Sequence, residues 1–354
     1  MTSQPSLAGL GWQAFFQQQL SLEEWQHGHP VRVLEQHKTL LEVSGGQGIV
    51  RLPFTPAAFS QHGAVCVGDW LLLDNSEQPQ IIRRLERLSC FQRRAAGIKA
   101  GMQLIAANVD TAFIVCSLND DFNLNRIERY LSIVHESGAE AVVVLSKADL
   151  CEQAEDYRQQ VQKLDPLLAV VSVSAFAQDS IQQLMPWCGY GKTVALLGSS
   201  GAGKSTLSNQ LLGQEIQATA AIREDDSKGR HTTTRRSLLS IAGGAMILDT
   251  PGMRELQLAD CADGLAQTFA DIEELAGQCR FADCGHSNEP GCAVRQALDN
   301  GVLDERRLRH YEKLQREQQL NSATLAQRRA GERETGKLHK RILNERKRQR
   351  HPDQ

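Results

Sequence analysis

The sequence contains no apolar run that approaches the roughly 20 residues needed by a membrane-spanning helix. Its N-terminal residues also lack the basic stretch followed by an apolar core that marks a secretory signal. What is present is an apolar fraction of 41% in 354 residues, enough for packed cores, and a charged fraction of 23%, typical of a globular protein. We therefore expect a cytoplasmic protein with no membrane partner, built from about two or three domains.

The sequence also lacks the regular cysteine framework of a small secreted domain, and six of its nine cysteines are interpreted as isolated thiols in a reducing compartment. These six are Cys66, Cys90, Cys116, Cys151, Cys188 and Cys261. The other three, Cys279, Cys284 and Cys292, lie with His286 in the pattern C-x4-C-x-H-x5-C. Three thiolates and one imidazole complete the tetrahedral shell of Zn²⁺ and leave no position for water, so we expect one structural zinc ion per chain.

The formal net charge of −3 conceals an asymmetry along the chain. Residues 328–351 hold ten Lys and Arg against three Asp and Glu, so the remainder of the chain is acidic. An acidic body with a basic terminal segment suggests contact with a polyanion. A disordered, solubilising tail is the alternative interpretation of this segment.

A glycine-rich stretch follows the apolar run 194–197, precedes a helix-compatible segment and has the pattern G-x-x-x-x-G-K-[ST]. It consists of Gly198, Ser199, Ser200, Gly201, Ala202, Gly203, Lys204, Ser205 and Thr206. The glycines allow the backbone N–H groups to point inward and cradle phosphate oxygens, above a helix N-terminus. We expect Lys204 to reach the β- and γ-phosphates of a nucleotide as a catalytic residue, and Ser205 to ligate Mg²⁺.

A second phosphate-side element is Asp249 to Gly252, which matches D-x-x-G at the end of another apolar run. Asp249 can hold Mg²⁺ through water, and the Gly252 N–H can contact a γ-phosphate. Between the two elements, Thr233 and Thr234 lie after the basic sequence Gly-Arg-His. A threonine here can ligate Mg²⁺ and form a switch. Thr234 is the candidate ligand.

The residue after Gly252 is Met253, where Ras-like proteins place the glutamine that orients the attacking water. A methionine cannot orient water, so we expect slow intrinsic hydrolysis unless another group or a partner assists. His231 is the nearest candidate for that catalytic role, and an exposed histidine without function is the alternative.

A four-residue stretch after another buried run resembles the guanine-recognition sequence N-K-x-D: Ser146, Lys147, Ala148 and Asp149. The Asp149 carboxylate can accept from both the N1–H and the N2 amino group of guanine, donors that adenine lacks there, and the Lys147 stem can lie on the base. Ser146 replaces the usual asparagine and loses an amide that braces the phosphate loop, so we expect a lower nucleotide affinity. Ser174 and Ala175 match the short element that meets guanine O6 through a backbone N–H.

The order of these motifs is informative. GTPases generally run from the phosphate loop through the switch threonine and D-x-x-G to N-K-x-D and S-A. Here the guanine motifs come first, which is the same cycle cut elsewhere and therefore a circular permutation. Buried apolar runs alternate with helix-compatible segments, such as 124–137, and the motifs follow the runs, so we expect a doubly wound α/β sheet.

The N-terminal part of the chain has a different character. Residues 1–30 contain tryptophans and phenylalanines among glutamines and indicate a short amphipathic helix. From residue 31 to about 94, five short β-rich runs suggest a small barrel of the OB type, and several arginines lie toward its end: Arg83, Arg84, Arg87, Arg93 and Arg94. These arginines favour nucleic-acid binding and a salt-bridged structural surface equally.

Four features are informative together: the permuted motif order and the sequences G-R-H-T-T-T, D-T-P-G and C-R-F-x-D-C-x-H-x-x-E-P-G-C. With these features, the chain resembles the family of ribosome small-subunit-dependent GTPase A over about residues 31–320. The resemblance implies an N-terminal OB-type β-barrel, a circularly permuted α/β P-loop GTPase domain and a small, α-rich zinc-binding C-terminal domain. It also implies a monomer that binds GTP and GDP, contacts the small ribosomal subunit and its rRNA in late maturation, and hydrolyses GTP faster on the subunit. The His231 position is implied to be catalytic.

The corresponding domain boundaries are 1–30 for an N-terminal extension, 31–95 for the barrel, 96–256 for the GTPase domain, 257–320 for the zinc-binding domain and 321–354 for a basic helical or disordered tail. Two other functions stay open at this point. One is a P-loop NTPase of different nucleotide specificity, and the other is an RNA-binding protein with a degenerate nucleotide site.

Overall fold

The computed structural model describes residues 6–37, 39–46, 48–54, 63–94, 102–119, 121–174, 177–213, 236–241, 243–249 and 261–322. The strands in these residues are β1 to β13: Gly28–Gln36, Leu40–Ser44, Ile49–Pro53, Trp70–Asp74, Ile81–Arg84, Cys90–Arg94, Met102–Ala107, Thr111–Ser117, Glu140–Ser146, Ala169–Val173, Thr193–Leu197, Arg236–Ser240 and Met246–Asp249. The α-helices are α1 to α10: Ala14–Gln17, Leu22–His27, Leu124–Ser137, Ala154–Gln162, Gln178–Gln182, Lys204–Leu212, Ala262–Thr268, Ala270–Ala276, Ala293–Asp299 and Glu305–Ser322. Within this part of the chain, no helix is both long and apolar enough to cross a membrane.

The centre of the molecule is a six-stranded segment of sheet in the order β10-β9-β8-β11-β13-β12. Every neighbouring pair is parallel except β12 with β13. Strands β8 and β11 are buried along their whole length, because helices cover both faces of a parallel sheet, and this explains their uninterrupted apolar runs. The predicted α/β sheet is confirmed. The first parallel strand along the chain is β8 rather than β11, so the strands that end in the guanine motifs precede the phosphate loop.

The N-terminal strands form an antiparallel sheet in the order β3-β2-β1-β4-β5. Its apolar core is formed by side chains of β1, β2, β4 and the segments beside them: Val31, Val33, Leu41, Val43, Leu52, Phe54, Val65, Leu71 and Leu73. This sheet contains five strands, the number that the sequence predicted. Its first strand begins at Gly28 and its fourth at Trp70. The antiparallel pair of β6 and β7 was not anticipated.

The residues before β1 pack onto this sheet. Helices α1 and α2 take the place of the single amphipathic helix expected there, and the Ser21 side chain caps α2 in a capping box with Glu24. The rings of Trp12 and Phe16 pack against the buried ring of Trp70, with centroids 4.8 and 5.7 Å away. The N-terminal residues are therefore part of the core of this unit.

Two of the arginines considered for nucleic-acid binding are bound within the protein. The Arg83 guanidinium donates to Glu24 at 2.6 Å, and the Arg87 guanidinium donates to the fully buried Asp69 at 2.7 Å. For these two side chains the structural interpretation is favoured.

Strand β1 joins the two sheets into one. Its first half pairs with β4, and on the same edge its last residues, Glu35 and Gln36, pair with Ser237 and Arg236 of β12. At this junction the fully buried Arg32 guanidinium donates to the carbonyl oxygens of Leu10 at 2.5 Å, Asn108 at 2.8 Å and Gly68 at 3.3 Å. The N-terminal antiparallel sheet is thus fixed to the edge strand β12, which follows directly after residues 214–235.

The C-terminal helices pack on α3. Gly264 in α7 lies so close to this helix that an added Cβ would stand 2.1 Å from the Ser132 carbonyl oxygen, so only glycine fits there. On the next face, the fully buried Glu128 of α3 accepts hydrogen bonds from Arg306, Arg307 and His310 of α10 at 2.6–3.0 Å. A buried carboxylate with three such partners holds α10 in one orientation on α3.

Candidate nucleotide site and metal centre

The phosphate loop lies between β11 and α6 at the middle of the parallel sheet. Gly198 has a φ of +141°, and a Cβ there would stand 2.2 Å from the Val115 carbonyl oxygen of β8. No other residue fits without moving the neighbouring strand. Gly203, with φ of +91°, turns the chain directly into α6, whose first residue is Lys204. The glycine spacing read from the sequence therefore corresponds to two positions of enforced backbone geometry.

Lys204 is buried, and its ammonium lies over the loop. It donates to the carbonyl oxygen of Gly198 at 2.8 Å and to that of Ser199. Ser205 follows in the first turn of α6 and is exposed. The arrangement places one positive charge and the N-terminal end of α6 on the concave side of the loop, which is the electrostatic environment that binds polyphosphate.

The segment that resembles the guanine motif supports the loop from β9, which β8 separates from β11 in the sheet. Ser146 is the last residue of β9, and its buried hydroxyl donates to the Ala202 carbonyl oxygen at 2.6 Å. Lys147 then takes a left-handed conformation with φ of +60°, and Asp149 lies exposed in the 3-10 turn that follows. The sequence analysis expected a lower nucleotide affinity because Ser146 lacks the asparagine amide. The serine hydroxyl makes one hydrogen bond to the loop, and the lower affinity stays a prediction.

The other candidate residues lie along the same edge of the sheet, or outside the described residues. Ser174 directly follows β10, which pairs in parallel with β9, and Asp249 ends β13, which pairs in parallel with β11. The carboxyl ends of these strands share one edge, so the structure brings Ser146, Ser174, the phosphate loop and the Asp249 backbone to that edge. Five of the candidates lie outside the described residues: Ala175, His231, Thr233, Thr234 and Gly252.

Sequence reasoning missed Asp121, in the loop between β8 and α3. Its carboxylate accepts a hydrogen bond from the Ser199 hydroxyl of the phosphate loop and one from Arg126 of α3 at 2.5 Å. The Arg126 hydrogen bond, followed by that of Ser199, holds the pKa of the Asp121 carboxyl below its ordinary value. The available signal was its place four residues after the end of β8, in a loop at the carboxyl edge of the parallel sheet, where α/β proteins collect functional side chains.

Ser199 also lies at the mouth of a cleft of about 400 Å³ between α3 and α10. Its walls carry four basic side chains, two asparagines and a tyrosine: Asn123, Asn125, Arg126, Arg129, Tyr130, His310 and Lys313. Residues of the C-terminal helix α10 and Ser199 of the phosphate loop therefore line one cleft.

The three cysteines and the histidine of the C-terminal pattern converge on one point. The Cys279 sulfur lies 3.9 Å from the Cys292 sulfur, and the His286 Nδ1 lies 3.6 Å from each of them. All four ligand atoms, including the Cys284 sulfur, lie within 4.8 Å of one another. With Zn–S about 2.3 Å and Zn–N about 2.0 Å, a tetrahedral ion gives an S–S edge of about 3.8 Å and an S–N edge of about 3.5 Å. The donor set and its spacing therefore fit Zn²⁺.

The backbone around this cluster is held by hydrogen bonds. The Glu289 carboxylate accepts from the N–H groups of Gly285, Ser287 and Asn288 at 2.9–3.0 Å, which folds the loop that carries His286. The Cys292 sulfur accepts from the Arg295 N–H at 3.3 Å as the cap of α9. Such donors orient thiolate ligands and stabilise their charge.

Comparison with known proteins identifies the family. The family model described as RsgA GTPase matches residues 84–259. A protein of Vibrio parahaemolyticus named small ribosomal subunit biogenesis GTPase RsgA 2 is 53% identical over 351 residues, covering 98% of this chain and 96% of its own. A Mesorhizobium japonicum protein named small ribosomal subunit biogenesis GTPase RsgA is 48% identical over 323 residues, covering 90% of this chain and 92% of its own.

Solved structures share the fold. YjeQ from Thermotoga maritima matches with a TM-score of 0.62 at 24% identity, covering 82% of this chain and 98% of its own. YloQ, described as a circularly permuted GTPase, matches with a TM-score of 0.60 at 24% identity, covering 84% of this chain and 97% of its own. With a phosphate loop at the centre of a permuted sheet and relatives that align along nearly its whole length, this chain belongs to the RsgA family of GTPases.

Proposed function

We propose that this GTPase binds the small ribosomal subunit and assists its late maturation, hydrolysing GTP slowly alone and faster on the subunit. The observation that carries the proposal is the braced phosphate loop with the guanine motif beside it, in a chain whose near-full-length relatives bear the name of that process. Because the subunit is assembled in the cytoplasm, we place the protein there.

We assign the nucleotide contacts as follows. Lys204 contacts the β- and γ-phosphates, and Ser205 and Thr234 ligate Mg²⁺. Asp149 accepts from the guanine base, over which the Lys147 stem lies, and the backbone after Ser174 meets guanine O6. The exposed positions of Asp149 and Ser205 support this assignment.

The hydrolysis step needs an attacking water molecule in line with the γ-phosphate. The water oxygen bonds to the γ-phosphorus while the bond from that phosphorus to the β–γ bridging oxygen breaks. GDP leaves, and the protons of the water leave with the phosphate or pass to solvent. Lys204 stabilises the charge on the phosphate oxygens. Met253 stands where an orienting glutamine would be, so we assign the water to His231, assisted by the bound subunit.

We propose that the barrel responds to the nucleotide through β12. This strand begins at Arg236, two residues after Thr234, and its outer edge carries Glu35 and Gln36 of β1. A change around Thr234 on loss of the γ-phosphate would therefore act directly on the strand that holds the barrel. The strand order β3-β2-β1-β4-β5 is that of an OB barrel opened between β3 and β5, which supports an RNA-binding role for this unit.

For the C-terminal unit we propose a structural zinc ion that is held by Cys279, Cys284, His286 and Cys292. The ion would cross-link a segment with little apolar core of its own, and no ligand position would remain for catalysis. The basic residues 328–351, outside the described residues, would add electrostatic affinity for rRNA.

A sedimentation experiment tests the partner. The protein is mixed with purified small or large ribosomal subunits in the presence of a non-hydrolysable GTP analogue or GDP, and the pelleted fraction is measured. We expect pelleting with the small subunit, stronger with the GTP analogue, and a loss of this nucleotide preference in Lys204→Ala. Equal pelleting with both subunits would contradict the proposed partner.

A further inference from the structure

Asp121 connects the phosphate loop to helix α3. Its carboxylate accepts from the Ser199 hydroxyl on one side and from Arg126, in the first turn of α3, on the other. The loop that carries Asp121 is fixed in turn, because the Asn119 side chain accepts from the Asp121 N–H at 3.1 Å and the Asn123 side chain caps α3. Charge-assisted bonds of this kind are short and directional, so a shift of α3 would move Ser199 of the phosphate loop.

The same helix is held by the C-terminal unit at several points. Beyond the buried Glu128 cluster, Arg129 of α3 makes two hydrogen bonds of 2.7 Å to the Glu317 carboxylate of α10. Arg307 of α10 also donates to Asp271 of α8 at 2.8 Å, so α10 and the helix that precedes the cysteine cluster form one body. Helix α3 therefore lies between the C-terminal unit and the phosphate loop.

We propose that Asp121 is a positioning residue that couples the docking of α10 on α3 to nucleotide binding, through Ser199. Asp121 does not touch the nucleotide in this assignment; it sets the position of the loop that does. Because coupling between two sites is reciprocal, nucleotide binding must stabilise the docked α10 by the same factor by which docked α10 strengthens nucleotide binding. The inference rests on the proposed guanine-nucleotide site and needs no ribosomal partner.

A double-mutant cycle tests the coupling. Glu317→Ala breaks a half-exposed ion pair whose two residues lie outside the phosphate loop, and Asp121→Ala cuts the connection. GDP affinity is measured by titration for the wild type, both single variants and the double variant, with Glu155→Ala as a control that breaks a similar exposed ion pair with Arg158 on α4. We expect Glu317→Ala to weaken GDP binding by at most about fivefold, because a partly exposed ion pair contributes little and the Glu128 cluster stays intact, and we expect Glu155→Ala to leave it unchanged.

The decisive comparison is the effect of Glu317→Ala in the Asp121→Ala background. Coupling through Asp121 requires that this second effect vanish, whereas equal effects in both backgrounds, or no effect in the wild type, would overturn the proposal. Ser199→Ala removes the same bond from the other side, so it replaces Asp121→Ala if that variant fails to fold. Asp121→Asn keeps an acceptor for Ser199 and should restore part of the dependence.

Hydrogen exchange measures the reverse direction. In the wild type, GDP should slow amide exchange in α10, and this protection should be absent in Asp121→Ala at saturating GDP. A role confined to fold stability would lower the melting temperature of the variant while leaving the GDP-dependent protection intact, which would refute the coupling. Failure of the wild type to bind GDP in the same titration would instead reject the proposed nucleotide site.

Discussion

The brace between Ser146 and the phosphate loop allows a quantitative test. Ser146→Ala deletes a buried hydroxyl that donates to the Ala202 carbonyl oxygen at 2.6 Å, and Ala202 is itself fully buried. Loss of one partner of a buried hydrogen bond costs about 1–3 kcal/mol. If that cost falls on the loop conformation that binds nucleotide, GDP affinity should fall by about 5- to 150-fold.

The matched control for this variant is Ser89→Ala. The Ser89 hydroxyl is also buried and donates to a backbone carbonyl, that of Val109, at 2.7 Å, but it lies away from the phosphate loop. Both variants should lose similar thermal stability, and only Ser146→Ala should lose affinity in a fluorescence titration with labelled GDP. If GDP binding by Ser146→Ala stays within twofold of the wild type, the hydroxyl does not position the loop and the reasoning is wrong.

Four other variants test separate parts of the account. Asp149→Asn should weaken GDP binding by about 1.5–3 kcal/mol, the usual worth of a hydrogen bond to a charged group. It should also shift preference toward xanthosine diphosphate in competition titrations, because the asparagine amide can donate to the C2 carbonyl of xanthine. Unchanged selectivity would place guanine elsewhere. Glu289→Ala should weaken zinc binding about 10- to 100-fold in a chelator competition, as loss of a supporting shell does; an unchanged zinc affinity would show that the loop needs no such support. Burial raises the pKa of Glu128, but His310, Arg306 and Arg307 outweigh burial and hold that pKa below its ordinary value. The melting temperature of the wild type should therefore exceed that of Glu128→Gln most at neutral pH, and the difference should decline as acid protonates Glu128. A difference independent of pH would contradict this ionised cluster. Gly198→Ala should abolish nucleotide binding or folding, since its Cβ would stand 2.2 Å from a neighbouring strand; a variant that binds GDP normally would refute the steric argument.

Much of the candidate nucleotide site could be proposed from the sequence because its residues are local in sequence. The phosphate loop, the stretch from Ser146 to Asp149 and Asp249 each follow an apolar run, and parallel strands place such positions at one edge of the sheet. The cysteine cluster is also local, since its four ligands fall within 14 residues, Cys279 to Cys292. Short-range patterns of this kind determine chemistry and position together.

The contacts that join the units could not be predicted in this way. Ser199 and Asp121 are 78 residues apart, and Arg306 and Glu128 are 178 residues apart, so no local pattern links them. Strand β4 pairs with β1 only as far as Arg32, so the same edge of β1 stays open beyond that residue and pairs with β12. This edge exists only once the strands have folded together. The contact of the Ser146 hydroxyl with the Ala202 carbonyl was missed for the same reason, because the distance between them decides whether a short side chain can reach.

The most direct test of the central claim is the rate of GTP hydrolysis with and without purified small ribosomal subunits, with ATP measured in parallel. We expect slow turnover by the protein alone, strong stimulation by the subunit that is confined to GTP, and loss of both in Lys204→Ala. Equal hydrolysis of ATP, or no stimulation by the subunit, would contradict a guanine-specific switch that acts on this partner.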